Sequence, residues 1–595
     1  MSTLRFAIGQ MNPTVGDYAG NTRKILDWIR RADQRKADVT VFPELCLSGY
    51  PVWDMANKHG FVQAGLKHLD EIVRATRRLK TAVVLGYIGP GQERGDRSTN
   101  NLVWIQGGKI RARYIKRLLP TYDVFLEDIF FEAGTKSVVS AHKGLKYGLS
   151  ICEDIWDEHY KEKPVQDLKR MGADIIVNIS ASPYYRGVDS VRYNLLRRHT
   201  KEQRRPILYV NQVGAQDDLL FDGRSMFVDA AGRLLFQAPP FREDLYFFDW
   251  DPVHHVIPAE AGINRLMDPS FRWDDEGFSS LRTSQCWFNE KPAWDDKSVA
   301  CDSGYYTEEM YHALVLGIRD YCRKNNFQKI VIGVSGGIDS ALVAALAADA
   351  VGPAAVLGVA MPGEYSSRGS WEDAKKLARN LGIEFRINPI KAKYRAMVKA
   401  YRGQKKRQGL PVLPEGKINL AMENLQARLR GMELMFISND ENRLVLATGN
   451  KSELAMGYCT LYGDMAGGLG VIGDLYKTDV YRLSWYRNSI KKVIPEASLT
   501  KPPSAELRPN QKDEDTLPPY DLLDLILSRY IEKNQSVDEI VRGLKPQRVS
   551  AGLVREVIRK VDHNEYKRRQ TPPILRVTEK AWFGRRMPIT NRFEA

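Results

Sequence analysis

The sequence predicts an α/β protein made of two unlike layered domains. Three observations carry that expectation. The chain has 595 residues, more than one hydrophobic core usually serves, so two or three domains are expected. Residues 1–265 alternate short apolar strands with helical patterns and hairpin turns, which fits mixed sheets packed in layers. The second half alternates near-continuously apolar strands with helices, the pattern of a doubly wound parallel sheet.

Taken in order, the first-half strands are RFAIGQ, VTVFPE, AVVLGYIG, NLVWIQ, YGLSICE, IIVNIS and ILYVNQV. Asn21–Arg35 reads as a helix with Ile25, Trp28, Ile29 and Ala32 on one face. QGGK, HKGLK and AAGR read as hairpin turns. Residues 266–302 lose any sustained period yet keep Trp273, Trp287 and Trp294. A plain solvated linker would be poorer in aromatics, so this stretch is expected to pack on both neighbours. A helix is expected over Thr307–Asn325, then the strands KIVIGV, AAVLGVAM, EFRINPI and RLVLATG. YRGQKKRQGLPVLPEGK (401–417) is polar and Pro/Gly-rich, hence a loop. The expected division is 1–265, a connector over 266–302, and 303–595.

Composition narrows the function. Forty-three per cent hydrophobic residues argue against wholesale disorder. The net charge of +15 comes from scattered lysines and arginines. A basic surface, or a pocket for a phosphate-rich small ligand, accounts for it as well as nucleic acid would. Cys46, Cys152, Cys286, Cys301, Cys322 and Cys459 form no CxxC pair, so neither a zinc site nor a disulfide scaffold is indicated. A reducing cytosol is the expected setting. MSTLRFAIGQ has no signal-peptide core. The most apolar window, 341–360, is broken by Asp349 and Gly352-Pro353, so no membrane span is expected.

VIGVSGGIDS (331–340) reads as a buried strand, a glycine turn and a helix start. Unpaired backbone N–H groups and the helix dipole make such a turn an anion site. Gly336 and Gly337 allow close approach, while Ser335 and Ser340 offer hydroxyls. Asp339 is the oddity, because a carboxylate beside a phosphate repels it unless a cation such as Mg²⁺ lies between. The turn is neither GxxxxGK[ST] nor GxGxxG.

SGGIDS resembles the pyrophosphatase loop of the N-type ATP pyrophosphatases, which cleave ATP to AMP and pyrophosphate. LATGNKSELAMGYCTLYGD (446–464), KPPSAELRPNQKDEDTLPPYDLLDLIL (501–527) and HNEYKRRQTPP (563–573) resemble NAD synthetases. The resemblance implies that Gly333, Val334, Ser335, Gly336, Gly337, Ile338, Asp339 and Ser340 cradle ATP phosphates and that Thr448 contacts ATP. It implies Asp339 and Glu453 as holders of Mg²⁺. Asn424, Glu453 and Lys567 become contacts to deamido-NAD, and Lys451 and Lys477 contacts to phosphate.

In the first half, YGLSICEDIW puts Cys152 at a strand end before an acidic turn. A lone cysteine is ordinarily a core residue. VTVFPELCLSGYP, however, puts Glu44 at another strand end, where a buried carboxylate needs a partner. YIKRLLPTYDVFLEDIFF supplies Lys116 and Glu127. A thiolate nucleophile, a carboxylate proton shuttle and an ammonium for the oxyanion would make a covalent amidase site. These segments resemble the nitrilase (carbon–nitrogen hydrolase) superfamily, with its Glu-Lys-Cys triad and αββα sandwich. In glutamine-hydrolysing members the positions of Tyr122 and Ser182 hold substrate. Where many members read SPYHxGK this chain reads SPYYRGV, with Val188 in place of lysine, and Arg186 is the candidate replacement.

Together the halves resemble glutamine-dependent NAD⁺ synthetases. The resemblance implies L-glutamine, ATP and deamido-NAD as substrates, Mg²⁺ with the ATP, a homo-oligomer, and no nucleic-acid or membrane partner. Free ammonia would be protonated in bulk water, so a protected tunnel between the sites is expected. Two alternatives stand beside this reading: an RNA-modifying ATPase with the same loop, and another glutamine-dependent amidotransferase. The first leaves the nitrilase-like half without a role.

Overall fold

The computed structural model describes residues 3–91, 97–252, 304–414 and 417–592. The chain divides into two compact units, Met1–Trp294 and Asp295–Ala595. The expected connector, with its three tryptophans, lies outside the described residues.

Among the described residues the first unit carries fourteen strands: β1 (Leu4–Gln10), β2 (Val39–Val41), β3 (Ala82–Gly89), β4 (Thr99–Gln106), β5 (Lys109–Ile115), β6 (Val138–His142), β7 (Leu145–Ile151), β8 (Ile175–Ser180), β9 (Ile207–Asn211), β10 (Val213–Gln216), β11 (Leu219–Asp222), β12 (Met226–Val228), β13 (Leu234–Gln237) and β14 (Asp244–Trp250). They build two six-stranded sheets, β14-β1-β2-β3-β4-β5 and β13-β12-β9-β8-β7-β6, with β10 and β11 as a separate hairpin. Both sheets are mixed. β1, β2 and β3 run parallel, as do β7, β8 and β9, and the outer strands pair antiparallel. Ile8, Val41, Val84 and Trp104 from one sheet share a core with Leu149, Val177, Leu208 and Phe227 from the other.

Helices cover the outer faces. On the first sheet these are α1 (Tyr18–Gln34) and α2 (His59–Ala75), and Glu127–Phe130 forms a single-turn α3. On the second they are α4 (Pro164–Arg170) and α5 (Val188–Gln203). The result is an αββα sandwich. α1 starts three residues before the periodicity suggests, because the Asp17 side chain accepts from the Gly20 N–H and caps it. VTVFPE pairs only as far as Val41; Pro43 has no N–H to continue a ladder. ILYVNQV breaks after Asn211, and Val213 onward leaves for the separate hairpin.

The second unit is built on a five-stranded, all-parallel sheet: β15 (Ile330–Gly333), β16 (Val356–Ala360), β17 (Glu384–Ile387), β18 (Leu444–Ala447) and β19 (Leu469–Gly470). Its order is β17-β16-β15-β18-β19. Strand order reverses at β15 and β18, and the loops after those strands flank the crevice where open α/β sheets bind ligands. β17 departs from the expected buried strand: as the sheet edge, it leaves Glu384 and Ile387 exposed. The helix Ile338–Val351 is buried on nearly all sides. The helices Lys391–Arg407 and Leu420–Glu441 cover the other face through Tyr394, Leu429, Leu434 and Ile437.

One expectation fails here. Residues 401–407, read as the start of a loop, are the last two turns of the helix Lys391–Arg407. Gln, Lys and Arg are good helix formers even when exposed all round, and Tyr394, Met397 and Val398 anchor the helix upstream. The chain leaves it only near Gly409, at φ +66°. A small C-terminal group of helices, Tyr520–Ile531, Val537–Gly543 and Ala551–His563, packs around Leu523, Ile526, Leu527, Val554 and Val557.

Candidate active sites

In the first unit, four strand ends deliver one cluster. Glu44 follows β2, Lys116 follows β5, Cys152 follows β7, and Ala181 follows β8. Gly86 on β3 lets the Glu44 turn press against the sheet: a Cβ there would lie 2.2 Å from the Leu45 nitrogen. Lys116 is fully buried, and its ammonium donates to Glu44 Oε1 at 2.8 Å and lies 2.7 Å from Glu127 Oε2. Asn100 Nδ2 donates to Glu44 Oε1 at 2.7 Å, and the Ala181 N–H donates to Oε2 at 2.8 Å. Tyr50 donates its hydroxyl to Glu127 at 2.9 Å.

Electrostatics follow from this burial. Desolvation alone would push the Lys116 ammonium down, but Glu127 and Glu44 outweigh it and hold its pKa well above the usual lysine range. Desolvation, eased by Lys116 and reinforced by Glu44, pushes Glu127 up to about 7. Burial first, and the Glu44 charge second, keep the Cys152 thiol well above its ordinary value. Cys152 therefore rests as a neutral thiol beside Glu44, and a nucleophilic role would require it to pass its proton on. Cys152 also sits at φ +39°, a left-handed conformation rarely adopted by a side-chain-bearing residue.

The candidate substrate contacts lie around this cluster. Tyr122 donates its hydroxyl to both Glu153 oxygens, at 3.0 and 3.1 Å. Tyr160 donates to Glu153 Oε1 at 3.0 Å. Burial pushes Glu153 up to about 7, with Lys116 and the two tyrosines pulling it back. Ser182 is buried next to Ala181, Arg186 is half-buried in the turn before α5, and Val188 is the buried first residue of α5.

In the second unit, one cavity of about 450 Å³ is lined by the whole turn from Gly333 to Ser340, and by Thr448, Asn424, Glu453, Lys477 and Lys567. Gly336 has φ +84°, and a Cβ there would lie 2.1 Å from the Ser370 carbonyl oxygen, so the turn admits glycine only. The Ser340 hydroxyl accepts from the Ser335 N–H at 3.2 Å and donates to the Gly337 carbonyl at 3.1 Å. The helix Ile338–Val351 begins there with no side-chain cap, so its first N–H groups face the cavity wall as an anion site.

Lys477 lies 2.5 Å from Asp339 Oδ2 and 3.4 Å from Glu453 Oε1. Asn450 donates to Asp339 Oδ1 at 2.8 Å and forms a capping box with Glu453. Desolvation and the Asp339 charge push Glu453 up to about 8. Lys567 donates to the carbonyls of Gly457 and Cys459 at 2.7 and 2.9 Å, and Asn424 Oδ1 accepts from Thr460 at 2.9 Å.

Comparison with known proteins agrees with both halves. The carbon-nitrogen hydrolase family matches residues 5–253, and the NAD synthase family matches residues 310–571. The glutamine-dependent NAD(+) synthetase of Aquifex aeolicus is 42% identical over 99% of this chain and 100% of its own length. That of Thermotoga maritima is 40% identical over 100% of both chains. The chain belongs to the glutamine-dependent NAD(+) synthetase family. It is a ligase with a glutaminase domain, and its reaction is glutamine-dependent synthesis of NAD⁺ from deamido-NAD. The crystal structure of the Acinetobacter baumannii synthetase, in complex with adenosine diphosphate, is 34% identical, covers 99% of both chains and superposes with a TM-score of 0.71. The Cytophaga hutchinsonii synthetase, at 20% identity and TM-score 0.76, shares the fold. No described helix is long and apolar enough to cross a membrane.

One synthetase site residue needs correcting. Lys451, expected to touch phosphate, does not line the cavity. Its ammonium is fully buried against Asp474 at 2.9 Å and Glu532 at 3.0 Å, and donates to Thr578 Oγ1 at 2.6 Å. Thr578 and Asp474 tie the C-terminal segment to the sheet, so Lys451 is a fastening there. Sequence reasoning also passed over Asn100, Tyr50, Glu153 and Tyr160 in the first cluster, Arg430 and Lys501 at the cavity of the second unit, and Asn450 behind Asp339. Only Asn450 had a legible local signal, the N-x-x-E capping box in NKSE.

Lys451→Met leaves two buried carboxylates without their cation. It should cost about 3–5 kcal/mol of stability while the KM for ATP stays unchanged. Thermal denaturation and steady-state kinetics check this, and a raised KM in a stable variant would restore the phosphate role. For the glutaminase, Glu127 takes up a proton as pH falls through about 7. The kcat/KM for glutamine should therefore show an acid limb near that pH. Glu127→Gln removes that titration, so the acid limb near pH 7 should be lost. An unmoved limb would assign the titration elsewhere.

Proposed function

We propose that the two units divide the reaction between a thiol-dependent glutaminase and an ATP-consuming amidation site. The observation that carries this division is that the Glu44–Lys116–Cys152 cluster and the SGGIDS cavity belong to different units and share no residue. Cys152 Sγ attacks the amide carbon of glutamine while Glu44 takes the thiol proton and delivers it to the leaving ammonia. Lys116 has three N–H bonds. Its two carboxylate partners leave one for the oxyanion of the tetrahedral intermediate. Water then cleaves the thioester to glutamate. Tyr122, Ser182 and Arg186 hold the substrate, with the Glu153 carboxylate as acceptor for its α-ammonium.

In the second unit, a carboxylate oxygen of deamido-NAD attacks the α-phosphorus of ATP. The bond to the β-phosphate breaks and pyrophosphate leaves. Ammonia then adds to the acyl carbon, AMP departs, and the amide of NAD⁺ remains. The N–H groups of Gly333–Ser340 and the Lys477 ammonium take up the charge that develops on the phosphates. Thr448 contacts ATP, while Asn424 and Lys567 meet the dinucleotide. Asp339 and Glu453 suit Mg²⁺: they are two carboxylates on one wall, and Glu453 is pushed up to about 8 by burial and Asp339. Among the described residues no three metal-ligating side chains gather, so phosphate oxygens and water would complete the shell. When bound, Mg²⁺ would neutralise phosphate charge and ease pyrophosphate departure.

The four described cysteines are free thiols, which agrees with work in the cytosol. Met432, Met435, Phe436 and Tyr462 are exposed on and beside the helix Leu420–Glu441. A solvent-facing group of that kind supports association with a second copy. Light scattering of a Phe436→Glu variant should show the assembly breaking into smaller species, and an unchanged mass would discard that surface.

Cys152→Ala should abolish NAD⁺ formation with glutamine and keep it with ammonium salts. Asp339→Asn should slow both and raise the Mg²⁺ requirement. Equal loss of both donor activities in a folded Cys152→Ala enzyme would end the division of labour. We propose further that ammonia is handed on without reaching bulk water. An ammonia-scavenging enzyme should then leave the glutamine-supported rate intact, and a stopped reaction would refute the transfer.

A further inference from the structure

Arg192 lies one turn into α5, beyond Val188, and is 1% exposed. Each of its three guanidinium nitrogens donates a hydrogen bond. Nε donates to the Ser182 hydroxyl oxygen at 3.1 Å. One terminal nitrogen donates to the carbonyls of Ser182 and Pro183 at 2.8 and 2.9 Å. The other donates to Asp222 Oδ1 at 2.6 Å, and that carboxylate is wholly buried. Three of these four bonds grip one two-residue segment. A second clamp comes from Asn211, whose Oδ1 accepts from the Ser182 N–H at 2.9 Å.

Arg192 has no acceptor atom and can only donate. Its Nε–H therefore occupies lone-pair space on Ser182 Oγ and turns the hydroxyl hydrogen away from the arginine. A hydroxyl so oriented is a donor, suited to an anionic oxygen. Ser182 directly follows Ala181, whose N–H holds the Glu44 carboxylate, so the oriented hydroxyl is fixed in register with the general base.

We infer that Arg192 is the positioning residue for glutamine specificity: with Asp222 it locks the Ser182 segment and orients the Ser182 hydroxyl as a donor to the α-carboxylate of glutamine. This rests on the reading of Ser182 as a glutamine contact.

The test is a double-mutant cycle on the full-length enzyme. Arg192→Lys keeps the charge opposite Asp222 but loses the Nε donor. It should raise the KM for glutamine about tenfold, the effect of losing one hydrogen bond to a charged group. The kcat should stay within about twofold, because Glu44, Lys116 and Cys152 keep their own contacts. Ammonia-supported NAD⁺ formation and iodoacetamide labelling of Cys152 should be unchanged, which reports intact folding. Ser182→Ala should raise the KM similarly, and adding Arg192→Lys to it should raise the KM no further, since the arginine acts through that hydroxyl. A KM rise that multiplies in the double variant, or a matching fall in kcat, would reduce Arg192 to a structural brace. A normal KM in Arg192→Lys beside a raised KM in Ser182→Ala would overturn this inference alone. A normal KM in Ser182→Ala would overturn the glutamine contact itself.

Discussion

An ammonium stripped of water keeps its charge only if carboxylates surround it, and Lys116 has Glu44 and Glu127 within 2.8 Å. Much of the first unit is arranged around that need. The two carboxylates come from distant parts of the chain, one after β2 and one on α3. Both are buried, and the lysine ammonium is the cation they share. The same three groups set the chemistry at Cys152, whose thiol stays protonated in their company until a base removes the proton. Asn100, Tyr50 and the Ala181 N–H supply the remaining hydrogen bonds. Each comes from a different element, so the site exists only once both sheets have stacked.

The second unit meets a similar problem with opposite emphasis. The cavity proposed for ATP would have to accept highly charged phosphates, yet two acidic side chains, Asp339 and Glu453, line it. Lys477 stands between them and compensates part of their charge. An unfilled helix start and a run of backbone N–H groups provide positive potential that no side chain could bring as close. In the proposed reading the backbone would recognise phosphate, and the acidic pair would suit a divalent cation. The overall basic charge of the chain fits substrates that are polyanions.

Lys451 and Lys477 show how similar residues in neighbouring motifs come to different ends. Both follow strands or turns at the same edge of the parallel sheet, and both are buried. Lys477 faces the cavity, with Asp339 across from it. Lys451 begins a short helix whose buried side meets Asp474, Glu532 and Thr578. The difference is one of direction from the backbone. A motif specifies residue type and spacing, while the packing of the C-terminal segment specifies which way each side chain points.

Read alone, the sequence determined the layered α/β class, the strands β1–β4, β7–β9 and β15–β18, and the residue types expected at both sites. Period-two and near-continuous apolar runs are local, and so are strand-turn-helix signals such as SGGIDS. Glu44 and Cys152 were legible because each stands out at the end of an apolar strand, where a charged or nucleophilic side chain needs a reason; Lys116 follows the alternating strand KIRARYI and was legible only through the triad it resembles. Tertiary structure alone decided what depends on contacts across the chain. It extended the helix to Arg407, where solvent exposure hides periodicity. It turned Lys451 inward and drew Asn100 and Tyr50 into the glutaminase cluster. It closed Arg192 onto Ser182 and Asp222, thirty residues away. Those partners carry no local signature, because a buried polar group is paired only by folding, and which partner it finds depends on how strands far apart in sequence are brought side by side.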